Sequence, residues 1–141
     1  VVKATRDRLL EAAHSGDVEQ LRPIFQSFKT APILSFDDHS DPIDFLKTSS
    51  GDGEGREILA ILIEILESGY VRRDEGEDPD VYVWPYFVSV PPQALTPRQL
   101  VELFRIITAG DYEDMKSYGT YIFYRVGITP NGEMKFFLAG E

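Results

Sequence analysis

The stretch Thr120-Tyr121-Ile122-Phe123-Tyr124-Arg125-Val126-Gly127-Ile128-Thr129-Pro130-Asn131-Gly132-Glu133-Met134-Lys135-Phe136-Phe137-Leu138-Ala139 decides the fold. Its middle, Thr129-Pro130-Asn131-Gly132, has the composition of a hairpin turn, because proline presets φ and asparagine and glycine accept positive φ. The flanks are aromatic and β-branched, the types that suit a pleated surface. The reading is two antiparallel strands, 120–128 and 133–139. Successive strand side chains point to opposite faces, so Tyr121, Phe123 and Arg125 are expected on one face and Ile122, Tyr124 and Val126 on the other. A strand apolar on both faces needs two covers: helices on one side, and a further layer, a partner or a ligand on the other.

Upstream, residues 96–118 read as helices. Thr96-Pro97-Arg98-Gln99 combines a cap, a proline at the first helical position and a capping-box glutamine. Gly110-Asp111 is expected to stop that helix and start a shorter one, with Asp111 as cap, Asp114 at its third position and Gly119 at its end. Residues 70–90 read as strands. Tyr70–Arg73 and Val81–Trp84 flank a seven-residue connection, Asp74–Asp80, that holds five acids and so belongs in solvent. Pro85 has no N–H for a ladder, which places the second strand at an edge, at a bulge or at its own end, with Tyr86–Val90 as its continuation.

Residues 41–69 read as two helices. Asp41-Pro42, with Asp44 following, starts a short one. The other runs from Arg56 to Glu67 and is apolar around most of its circumference, as expected for a helix at the centre of a fold; Gly69 is its expected stop. Residues 1–29 read as a helical hairpin. Its first helix runs from Arg6 to His14 with Thr5 as N-cap and Ser15-Gly16 as stop. Its second is capped by Asp17 with Gln20 and kinked at Pro23. Between the two halves, Ala31–Phe36 is expected to be extended and Asp37–Ser40 a polar loop. The fold class is α+β: five to six helices on one side of a small, mainly antiparallel sheet of about four strands, in one domain of residues 1–141.

Composition narrows the function classes. With 43% hydrophobic and 12% aromatic residues, 141 residues suffice for a real core without staples. The net charge of −10 opposes nucleic-acid binding, which rests on neutralising phosphate, and opposes docking on an anionic membrane surface. Zero cysteines removes thiol catalysis and thiolate metal sites. No apolar run approaches the ~20 residues of a membrane span; the longest, Ile58–Leu66, is broken by Glu64. The chain opens at Val1-Val2-Lys3 without an initiator methionine, as a trimmed or mature fragment would.

Several groups invite a chemical reading and fall short of it. Gly51-Asp52-Gly53-Glu54-Gly55 precedes a helix, yet it lacks the Lys-Ser/Thr of a phosphate loop and carries two acids that repel phosphate. Asp37, Asp38, His39 and Asp41 gather hard ligands without a second histidine nearby. Asp74–Asp80 fails the calcium-loop pattern because Pro79 stands where glycine is needed. No metal or cofactor is expected. Nucleophilic catalysis has only His14 and His39 as bases and no nucleophile elbow.

The aromatic constellation carries the remaining signal. Tyr82, Trp84 and Tyr86 alternate along one strand and would share a face. Arg125 is a charge in a strand otherwise built for burial. Its structural role would be an ion pair with Asp111 or Asp114, and its functional role anion recognition in an aromatic cleft. The candidate ligand residues are Trp84, Tyr86, Tyr121 and Arg125.

The segments Tyr82-Val83-Trp84-Pro85-Tyr86-Phe87, Ala109-Gly110-Asp111-Tyr112, Phe123–Ile128 and Phe136-Phe137-Leu138-Ala139-Gly140-Glu141 resemble a family of uncharacterised bacterial proteins across most of the chain. The resemblance implies an exported or envelope-associated single domain and brings no catalytic residues with it. The terminal strand is also similar to the last strand of cone-shaped α+β folds of the nuclear-transport-factor kind, an analogy of fold alone. The expected function is a non-enzymatic binding or accessory domain of the bacterial envelope, periplasmic or otherwise extracytoplasmic, with a small ligand or a protein as partner. Two alternatives stand beside it: a carboxylate-dependent hydrolase of envelope glycan or peptide, and a self-associating structural module.

Overall fold

The structure, a computed structural model, describes residues 1–36 and 41–140. Among them are six α-helices and a four-stranded antiparallel sheet of order β1-β2-β3-β4. The strands are β1 (Val71–Arg73), β2 (Val81–Trp84), β3 (Arg125–Ile128) and β4 (Met134–Leu138), and the last two form the expected hairpin. Gly132 closes the turn at φ +90°, donating its N–H to the Thr129 carbonyl at 2.9 Å, while Thr129 donates to Glu133. The extended reading of Ala31–Phe36 also holds: Ile33 bridges Phe136 in parallel and adds a short edge beside β4.

Capping chemistry sets most helix starts. Asp41 accepts from Asp44 N–H and opens α3 (Pro42–Ser49), and Thr96 with Gln99 forms a reciprocal capping box on α5 (Pro97–Phe104). α1 (Val2–His14) starts earlier than expected, so Thr5 lies inside it and caps nothing. Its buried hydroxyl instead donates to the carbonyl of Gly132 and ties α1 to the hairpin turn. The second element of the N-terminal hairpin is split into a 3-10 turn, Val18–Leu21, and α2 (Arg22–Gln26), whose first turn absorbs Pro23. Asp17 caps Glu19 N–H there, and the box with Gln20 does not form. α4 (Arg56–Leu66) ends at Glu67 without using Gly69 as a left-handed stop. α6 (Ala109–Tyr118) is capped three residues before the expected position: Thr108 is the cap and Asp111 is the returning carboxylate of its box.

α4, apolar on most sides, sits at the centre as its sequence requires. It packs with α1 against the sheet face that carries Trp84, Val126, Ile128 and Phe137. A second, smaller core of Phe87, Leu103, Ile107, Met115 and Tyr121 joins α5 and α6 to the segment after β2. That segment is no continuation of the strand. Residues Tyr86–Ser89 form a 3-10 turn, consistent with the ladder donor that Pro85 lacks. On the sheet's other face, Gly127 pairs with Val83 and Phe136, and the Phe136 ring lies over the glycine.

Candidate functional site

The four sequence candidates do not converge. Tyr82 and Trp84 share a face of β2, but Tyr86 has left the strand and its hydroxyl donates to Glu102 Oε1 at 2.7 Å. Burial raises the Tyr86 pKa, and the Glu102 carboxylate adds to the rise, so the phenol stays protonated. Tyr121 is 2% exposed and donates its hydroxyl to the Tyr124 carbonyl at 2.7 Å, ahead of β3 and not within it. Arg125 donates Nη2 to the Tyr121 carbonyl at 2.7 Å, and its guanidinium carbon lies 5.3 Å from that ring's centroid. Phe87 stands between Tyr86 and Tyr121, with ring centroids 4.4 and 6.2 Å away.

The ion pair expected between Arg125 and Asp111 or Asp114 does not form. Asp111 is taken up by the α6 cap, and Arg125 is held by a carbonyl and a ring. Its Nε is buried without a hydrogen-bond partner. Burial pulls the guanidinium below its ordinary pKa, Tyr121 opposing and Arg73 adding to the fall. With its Nε shut off from solvent, Arg125 is poorly placed to receive an anion at that atom.

Trp84 belongs to a different place. It is 3% exposed, and its ring is 5.5 Å from that of Tyr70, which is also 5.6 Å from Tyr82. These three rings wall a cavity of about 710 Å³ between the sheet and the first turns of α1. Val1, Val2, Lys3, Arg6, Ser68 and Pro130 line it as well. Tyr70 stands 57% exposed at the end of the linker after α4, so one aromatic wall is free to adjust while Trp84 is fixed in the core. Arg6 is held in place by donating Nε to the Leu66 carbonyl at 2.7 Å. Lys3 pairs with Asp7 at 2.6 Å and lowers that carboxyl's pKa.

Sequence reasoning named Trp84 and noted Tyr82, but it missed Tyr70, Lys3 and Arg6. For Tyr70 the signal was its place directly after Gly69, the expected α4 stop, beside a strand already rich in aromatics. Lys3 and Arg6 carried none, since they join the site only because α1 extends to Val2.

The other chemical groups resolve into structure. In the Gly51–Gly55 loop the Asp52 carboxylate takes the Arg56 N–H at 3.3 Å and the Ser50 hydroxyl at 2.5 Å, while Glu57 takes the Gly51 N–H at 2.8 Å. The protein's own acids occupy the donors an external phosphate would need. Asp41 binds Arg22 through both oxygens, at 2.7 and 3.1 Å, and the rest of the Asp37–Asp41 group lies outside the described residues. In the 74–80 connection, Asp80 and Glu75 are spent on Arg72. Among the described residues no group of three His, Asp or Glu side chains could hold a metal ion, and no helix is long and apolar enough to cross a membrane.

No family model matches this chain, and no curated protein or solved structure matches it either.

Proposed function

We propose that this chain is a non-enzymatic ligand-binding domain, and that its site is the cavity walled by Tyr70, Tyr82 and Trp84. The observation that carries the reading is that wall: three aromatic rings around about 710 Å³, a volume within the usual range for small-molecule sites. Aromatic faces offer large contact area at low entropic cost and select flat or apolar ligands. A place in the bacterial envelope extends the reading along the family resemblance of the sequence.

The hydrolase alternative needs a carboxyl group held protonated, that is, with a raised pKa. Every described carboxylate with a distinct shift moves the other way: Asp7, Glu19, Asp41, Asp52 and Asp80 are all lowered by hydrogen bonds from cations, hydroxyls or backbone N–H groups. That direction suits fixed structural anions and favours the binding reading.

The test is a thermal-shift screen of purified protein against small aromatic and apolar compounds, repeated on Tyr70→Ala. Tyr70 is largely exposed, so its loss opens the cavity and spares the core. Compounds that raise Tm in the parent and lose the shift in Tyr70→Ala support the site. A screen in which no compound shifts Tm, or in which all shifts survive Tyr70→Ala, sinks it.

A further inference from the structure

We propose that the ligand of this cavity is an amphiphilic anion, whose flat apolar body lies against Tyr70, Tyr82 and Trp84 and whose anionic group, of carboxylate or sulfonate type, is held by Lys3 and Arg6. The inference rests on the binding reading above and specifies its chemistry. It starts from a mismatch of charge. The chain carries 24 acids against 14 bases, yet none of the nine residues lining the cavity is acidic and two are cations. In so acidic a chain, a cavity free of carboxylates and lined by two bases is a local reversal of the average.

The surrounding carboxylates leave the cations available. Asp7 is the acid in contact with them, 2.6 Å from Lys3 and 3.5 Å from Arg6, so one negative charge is shared by two positive ones. Asp80 and Glu75 are engaged by Arg72, whose guanidinium lies over the Tyr82 ring at 5.0 Å. Acids elsewhere on the surface act through solvent, where charges more than about 8–10 Å apart are largely screened at physiological ionic strength. Contact distances therefore decide the sign of the field that a bound ligand meets.

The donors are also prearranged. The Arg6 side chain is 28% exposed and is anchored through Nε to the Leu66 carbonyl, with Nη1 3.5 Å from Asp7, which leaves Nη2 of its planar fork for another partner. Lys3, 83% exposed and paired with Asp7 at 2.6 Å, supplies a second charge to the lining. The Tyr70 and Tyr82 hydroxyls and the Trp84 indole N–H are able to donate, while the Ser68 hydroxyl already donates to the Ile65 carbonyl at 2.5 Å. Aromatic wall and cationic rim together describe a site for a molecule with one apolar and one anionic end. A neutral apolar ligand would use the wall and leave the rim idle.

The test compares two dyes with one ring skeleton, 8-anilinonaphthalene-1-sulfonate and N-phenyl-1-naphthylamine, which differ by the sulfonate. Binding is followed by dye fluorescence and by quenching of Trp84, the only tryptophan. The anionic dye is expected to bind at least about tenfold more tightly, and rising salt should erode that preference. Lys3→Met and Arg6→Met should each shrink the preference severalfold by weakening the anionic dye more than the neutral one. Arg6→Met also loses the bond to Leu66 and is at risk of instability, so Lys3→Met, at an exposed position, decides if it unfolds. Equal binding of both dyes, lost in Tyr70→Ala, overturns the anion inference and leaves the aromatic cavity standing. A preference that survives both cation variants overturns it as well. Failure of both dyes to bind overturns this inference together with the binding reading beneath it.

Discussion

Gly127 is the strand position where a single methyl group has a calculable effect. Its neighbour on β4 is Phe136, and a Cβ built on the glycine would meet Phe136 Cε2 at 2.5 Å and Cδ2 at 3.0 Å. Real side chains do not tolerate such distances, so in Gly127→Ala the ring must swing off the sheet. Overpacking of this kind costs about 1–3 kcal/mol. Against it stands the gain of alanine over glycine in a strand interior, about 0.5–1 kcal/mol. The clash wins, and Gly127→Ala should be destabilised by about 1–2 kcal/mol. Unfolding entropy of about 2.1 cal/mol/K per residue over 141 residues gives about 0.3 kcal/mol/K, so each kcal/mol lowers Tm by about 3 °C. In a Phe136→Leu background the obstacle is gone and the same substitution should be neutral or stabilising. The assay is a double-mutant cycle by urea denaturation, with the fluorescence of buried Trp84 as probe. The expected coupling is about 1.5 kcal/mol or more. Additivity of the two substitutions within about 0.5 kcal/mol, or a stabilised Gly127→Ala single variant, would refute the packing argument.

Thr5→Val removes the buried hydroxyl that binds Gly132 and leaves that carbonyl unsatisfied, at a cost of about 1–3 kcal/mol, whereas Thr5→Ser keeps the bond and should lose less; thermal melts of the two variants check the order. Asp41 is held below the ordinary aspartate value of 3.8, first by hydrogen bonds from Arg22 and then by Asp44 N–H. A carboxylate with a lowered folded pKa stabilises fully above its unfolded value, and the contribution is lost as pH falls below 3.8 toward the depressed value. Arg22→Gln should therefore flatten the fall of Tm on the acid side of about pH 5, and an unchanged acid slope would count against the pair. Arg125→Met strands no carboxylate partner and removes a buried, unpaired Nε, so its urea midpoint should correspond to a change below about 1 kcal/mol. A loss of several kcal/mol there would show that the bond to the Tyr121 carbonyl matters far more than a single hydrogen bond should.

Much of the fold was legible because its signals are local. Asp41-Pro42 and Thr96-Pro97-Arg98-Gln99 name their helix starts through groups that satisfy backbone donors within three residues. The hairpin turn is likewise contained in four residues. Errors arose where two neighbours had the same chemistry. Thr108 and Asp111 can each cap a helix, and the structure uses both in one reciprocal box, which moved the start by three residues. Thr5 has a capping side chain, but its partner is Gly132, 127 positions away, and no local rule reaches that far.

The site was less legible because it depends on which side of the sheet each residue takes. Trp84 pairs with Val126, and residues paired across antiparallel strands share a face. Arg125 adjoins Val126, so it belongs to the opposite face, as does Leu138, its own partner on β4. An aromatic wall built on Trp84 and a cation at Arg125 are thus separated by the sheet. The alternation that made Tyr82 and Trp84 look like a platform also denies them the strand's own arginine. The charge that faces Trp84 has to come from whatever covers that side of the sheet. That cover is α4 with α1; the first turns of α1 bring Lys3 and Arg6 to the cavity, and the helix is pinned there by the same Thr5 hydroxyl that sequence reasoning assigned to a cap.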